Sequence, residues 1–123
     1  MIADYYTAGG TNQTDALNKL IADLKSKNAG LEEISGQRKS MRFGGVNGES
    51  VLLQGNSPVQ GQKELIWMVA AMRPEGLFHL LMISPQNEYN QYSKTFEEVV
   101  RSVKFGDKYK GRYKRRRLRL RRR

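Results

Sequence analysis

The densest chemistry in this chain is electrostatic and lies at one end. Residues 108–123 read KYKGRYKRRRLRLRRR, with Lys108, Lys110, Arg112, Lys114, Arg115, Arg116, Arg117, Arg119, Arg121, Arg122 and Arg123 and no Asp or Glu. The whole chain holds 22 Lys and Arg against 12 Asp and Glu, so these eleven cations leave 11 basic and 12 acidic residues for 1–107. The net charge of +10 therefore belongs to an appendage, and the body carries about −1. Cations interleaved with Tyr109, Tyr113, Leu118 and Leu120 can neutralise several phosphates of RNA or DNA, with steep salt dependence and no sequence preference. An anionic lipid surface attracts the same residues at about 1 kcal/mol each. A solvated extension or a nuclear-type address fits the composition as well.

The body offers little that resembles a catalytic constellation. Its single histidine, His79, sits between Phe78 and Leu80 in an apolar run, where a structural role is expected, and no second histidine exists for an ordinary zinc site. Glu32-Glu33 and Glu97-Glu98 are adjacent carboxylates, and neighbours in a strand or helix point different ways, which defeats paired acid–base work. Glu64 and Arg73 flank a central hairpin and are candidates for an ordered polar pair. The glycine-rich run Phe43–Gly48 lacks a following Lys-Ser/Thr and ends against Glu49, so it reads as a turn, not a phosphate loop. Gly55-Asn56-Ser57-Pro58 lacks the second glycine of a nucleophile elbow. With no cysteine there is neither a disulfide nor a thiolate. The expectation is a chain that is not an enzyme, with no metal and no cofactor. Trp67 and Tyr5-Tyr6 are the aromatic candidates for a binding surface, but the expected roles are core for Trp67 and a half-buried strand for the tyrosines.

The elements that position these residues follow from periodicity. Residues 1–11 read as a flexible lead-in: a short extended stretch, then Ala8-Gly9-Gly10-Thr11 as connector. Asn12 offers an N-cap with Asp15 three residues on, and Ala16, Leu17, Leu20, Ile21 and Leu24 form one helical stripe, stopped at Asn28-Ala29-Gly30. Short segments then run 31–35, 37–43 and 49–54, the last two forming a hairpin whose turn is expected at Asn47-Gly48. The stretches 63–72 and 77–84, joined by Arg73-Pro74-Glu75-Gly76, make the strongest hairpin; both strands are apolar on both faces, as central strands covered on two sides are. Tyr89, Tyr92, Phe96, Val99, Val100 and Val103 mark a second amphipathic helix over 88–101, with 103–105 as a short closing strand. The start of the chain lacks the basic and apolar runs of a secretory signal, and no stretch approaches the roughly 20 apolar residues that span a bilayer, so a soluble domain without an export signal is expected.

This order of elements resembles the C-terminal half of the PsbP-like α/β/α sandwich, in the version appended to bacterial zinc metallopeptidases of the CAAX-prenyl-protease-like family. The shared pattern is carried by Gly61 to Glu64 before a long apolar strand, Arg73 to Gly76 at the next turn, Ile83 to Pro85 after it, and Phe96 to Val103 in the last helix. It covers roughly residues 10–105 and consists of packing and turn signatures. The peptidase's zinc-binding HExxH helix is absent, since His79 is followed by Leu80-Leu81, so no catalytic or metal residue carries over. The resemblance places the first strands of the full sandwich before residue 1, and it implies the bacterial cell envelope for a parent protein.

Together these readings give an α+β domain over 12–106, an antiparallel sheet with flanking helices, followed by a Lys/Arg-rich tail over 107–123. The expected function is a non-catalytic interaction or accessory domain related to the C-terminal region of a zinc metallopeptidase, with protein as its partner. The alternative is binding of RNA, DNA or an anionic surface through the tail. A sheet edge left open by missing strands further predicts a homodimer, testable by sedimentation.

Overall fold

The computed structural model describes residues 1–59 and 61–105; the basic segment Lys108–Arg123 lies outside the described residues. The chain runs β1 (Ile2–Tyr6), α1 (Gln13–Lys27), β2 (Glu32–Glu33), β3 (Lys39–Phe43), β4 (Val46–Asn56), β5 (Lys63–Arg73), β6 (Gly76–Pro85) and, after a 3₁₀ turn at Gln86–Glu88, α2 (Tyr89–Ser102). The strands form one open antiparallel sheet in the order β1-β6-β5-β4-β2, and β3 shares the outer edge of β4 with β2.

Alternation along the central strands explains the layering. Met68 and Ala70 of β5, with Leu77 and Leu81 of β6, pack against Ala16, Leu17, Leu20 and Ile21 of α1. The intervening Val69, Ala71, Leu80 and Met82 point the other way, toward Phe96 and Val100 of α2. Helix therefore covers both faces, and the α+β sandwich expected from the double-sided apolar strands is what the chain forms. The start of α1 is local chemistry: Asn12 Oδ1 accepts the Asp15 N–H at 3.0 Å. At its other end the Asn28 side chain donates to the Leu24 carbonyl at 2.8 Å, and Gly30 turns the chain at φ +84°.

Three expectations change. The lead-in is in part a strand, because residues 2–6 pair with β6 from Ile2 opposite Leu81 to Tyr6 opposite Leu77. The β3–β4 turn falls at Gly44-Gly45 and not at Asn47-Gly48; both glycines have positive φ, +62° and +86°, which suits a two-residue hairpin turn, and Phe43 then pairs with Val46. Residues 103–105 add no strand. Instead Phe105 closes an aromatic cluster, with its ring 5.9 Å from Phe43 and 5.4 Å from Phe78.

Gly48, no longer a turn residue, serves a close approach between strands. A Cβ built there would stand 2.7 Å from the Ala70 backbone oxygen. Gly48→Ala is expected to destabilise the domain by about 1–3 kcal/mol, since backbone on a central strand yields poorly. Urea unfolding checks this, and an unchanged midpoint would contradict the packing described.

Candidate ligand-binding groove

The α2 face of the sheet is only partly covered. β3 and the near part of β4 extend past the helix, and a groove of about 360 Å³ opens between them and α2. Tyr89, Ser93 and Glu97, each four residues apart, form the helical wall. Lys39 and Met41 of β3, Ser50 and Leu52 of β4 and Trp67 of β5 form the sheet side, brought to one face by register: Lys39 opposes Ser50, and Leu52 opposes Trp67. A second hollow of about 250 Å³ adjoins along α2, sharing Met41, Trp67 and Glu97 and ending at Val100 and Arg101.

Trp67 stands where the two meet and is held from three sides. Its Nε1–H donates to Ser50 Oγ at 2.8 Å, its ring meets Phe96 edge-on at 4.8 Å, and Tyr89 lies tilted at 6.4 Å. The half-buried indole packs on the core, as one sequence reading expects, and also lines the groove. Burial first and the nearby Glu97 second push the Tyr89 hydroxyl above its ordinary range, leaving it a neutral donor at physiological pH. Glu97 is ion-paired to Arg101 at 3.2 Å on the exposed side of the helix.

The other sequence candidates are dispersed. Glu33 receives a two-pronged contact from Arg38, at 2.9 and 3.1 Å, and Arg38 also donates to Asn18 of α1 at 2.8 Å. This clamp ties the β2–β3 connection to α1, and the Glu33 contact holds the Arg38 guanidinium above its ordinary range despite partial burial. Glu64 and Arg73 do not pair. They stand near opposite ends of β5, about 30 Å apart along an extended strand, and Arg73 instead lies over the Phe105 ring, 4.3 Å from its centre. Tyr5 meets Phe78 edge-on at 5.2 Å, while the Tyr6 hydroxyl donates to Asp23 of α1, which raises its pKa above the usual tyrosine range. The two tyrosines therefore fasten β1 to its neighbours on opposite faces of the sheet.

His79 shares a face of β6 with Leu77 and Leu81 and is 7% exposed. Its Nδ1 stands 3.3 Å from the Leu77 carbonyl, and desolvation lowers its pKa against the smaller opposing pull of that carbonyl and of Asp4. The unfolded chain thus binds this proton more readily than the native one does. Stability from this group is intact above the unfolded histidine pKa, about 6.5, and falls as pH drops from there toward the lower native value. As the chain has one histidine, the urea midpoint is expected to decline between pH 7 and 5.5 in the native sequence and to stay flatter in His79→Gln. A native profile as flat as the variant's would contradict that environment.

Among the described residues no group of three or more His, Cys, Asp or Glu is placed to hold a metal ion, and no helix is long and apolar enough to cross a membrane. The groove itself escaped the sequence reading. Of its helical wall only Tyr89 stood on the apolar stripe read from the sequence, and nothing local reveals that Ser93 and Glu97 join it in facing β3. No protein-family model, no curated protein and no solved structure matches this chain, so the fold and the groove are what characterise it.

Proposed function

We propose that the chain is a non-catalytic interaction module whose folded body presents the Trp67 groove to a partner. The observation that carries this reading is the pinned, half-buried indole at the junction of two open hollows, a rigid aromatic anchor of the kind that dominates binding energy. The ionisable groups around it serve positioning: Glu97 is held by Arg101, and Tyr89 is neutral. Kinship to the PsbP-like region of bacterial metallopeptidases belongs to the same proposal. It is supported by the two-sided helix cover and by the placement of the Arg73–Gly76 turn and the Phe96–Val103 segment. Under this reading a chain cut after residue 107 keeps its partner, and loss of the partner on truncation contradicts it.

A second reading, binding of RNA, DNA or an anionic surface through Lys108–Arg123, is favoured by the charge division alone: eleven cations in sixteen residues beside a body near neutrality. It predicts that the same truncation abolishes binding.

A further inference from the structure

We propose that the outer edge of β3 accepts a strand from the partner: an extended acidic peptide that pairs with the Ser40 and Arg42 backbone and lays a large apolar side chain over Met41 into the Trp67 groove. This rests on the first reading above and gives its partner a conformation and a charge.

The backbone is the first argument. Among the described residues β3 has β4 on one side and no strand on the other. In an antiparallel ladder alternate residues turn their N–H and C=O to the neighbour, and the rest turn them outward. Phe43 opposes Val46 across the two-residue turn, so Phe43, Met41 and Lys39 bond to β4, while Ser40 and Arg42 face outward. Both are exposed. Their N–H and C=O groups form the kind of template on which an extended peptide adds as a strand.

Side chains are the second. Lys39, Met41 and Phe43 share the α2 face of β3, and Met41 lines both hollows of the groove. Strands stand about 4.8 Å apart, so an added strand lies about 10 Å from β4, toward which the indole reaches to bond Ser50. A leucine, methionine or phenylalanine side chain opposite Met41 spans most of that distance and fills the hollow beside Trp67. Charge selects the other residues. Residues 34–48 hold Arg38, Lys39 and Arg42 and no Asp or Glu. Arg38 is held by Glu33, whereas among the described residues no carboxylate pairs with Lys39, and Arg42 donates to the neutral oxygens of Asn47 and Gly45. Carboxylates on the added strand meet these two cations, one on each face of the ladder. A second copy paired β3 to β3 would instead gather Lys39 and Arg42 of both chains along one ladder, which like-charge repulsion disfavours.

The test uses the full chain and the acetylated, amidated peptide SVEFTES, whose phenylalanine falls opposite Met41 when its glutamates face Arg42 and Lys39. A twin N-methylated at the first glutamate and the threonine keeps the charge and loses the N–H groups that would bond Arg42 and Ser40, so attraction to cations elsewhere in the chain is common to both. Emission of Trp67, the chain's single tryptophan, reads the groove, and amide exchange of Ser40 and Arg42 followed by NMR reads the edge. We expect SVEFTES to shift the emission to the blue, to slow both amides, and to bind roughly 10-fold more tightly than the twin, the effect of losing two hydrogen bonds. Lys39→Glu, a change at an exposed strand position, should weaken SVEFTES roughly 5-fold. Equal affinity for the twin with the same emission shift and fast amides overturns strand addition and leaves the groove reading standing. Preference for SVEFTES without slowing of Ser40 and Arg42 puts the strand on another edge and overturns the β3 site. Absence of binding at about 1 mM overturns the β3 site as well, and loss or retention of a bound protein on truncation after residue 107 then decides the groove reading by itself.

Discussion

Replacing Phe96 by alanine should cost the domain about 3–5 kcal/mol, the range for truncating a fully buried aromatic. Phe96 is fully buried, lies at the centre of the α2 face among Val69, Leu80 and Met82, and has no solvent into which its neighbours can relax. A domain of this size has about 5–15 kcal/mol of stability in total, so the loss is a large share. The change also removes the ring against which Trp67 leans at 4.8 Å, so native-state emission should shift to the red as the indole loses one of its supports. Urea unfolding followed by Trp67 emission reads both effects. A decrement under about 1 kcal/mol with unshifted emission would mean that α2 packs less tightly on the sheet than described.

Leu17→Ala should cost about 2–5 kcal/mol from the opposite face. Leu17 is fully buried and sits in the cluster that joins α1 to Val51, Leu53, Met68 and Leu77. The two substitutions touch different clusters, separated by the sheet itself, so the double variant should lose the sum of the single losses to within about 0.5 kcal/mol. A coupling well above that would contradict the division into two independently packed faces.

How much of this was legible depended on whether the deciding contact was local. The N-cap bond of Asn12 to Asp15 lies within three residues, and the Arg73–Gly76 turn within four, so both were readable from residue type. The double-sided apolar texture of β5 and β6 was readable because it demands cover on both faces, and α1 and α2 supply it. The β3–β4 turn was misplaced because two turn-capable pairs, Gly44-Gly45 and Asn47-Gly48, lie three residues apart. The choice rests on distant partners: Phe43 stacks on Phe78 at 5.8 Å, and the Ala70 backbone oxygen leaves no room for a Cβ at position 48. The same distance in sequence hid the groove, whose walls come from residues 39–52 and 89–97 and meet only through the sheet. Residues 2–6 gave a weak strand signal because an edge strand with one neighbour carries little apolar pattern.

Under the proposed function the body and the basic segment divide the labour by charge. A near-neutral sandwich with an aromatic groove suits selective contact, while eleven adjacent cations give long-range attraction that salt screens. The central claim is that the folded body, and not the charge of the chain as a whole, carries partner recognition. It is tested most directly by comparing the full chain with the 1–107 truncation, each against a protein that the full chain is first shown to bind and against single-stranded RNA over a salt series from about 50 to 300 mM. The account predicts that truncation leaves the protein partner bound with little change, while the steep salt-dependent affinity for RNA disappears. If truncation abolishes both, the folded body is only a carrier for the basic segment and the account is contradicted.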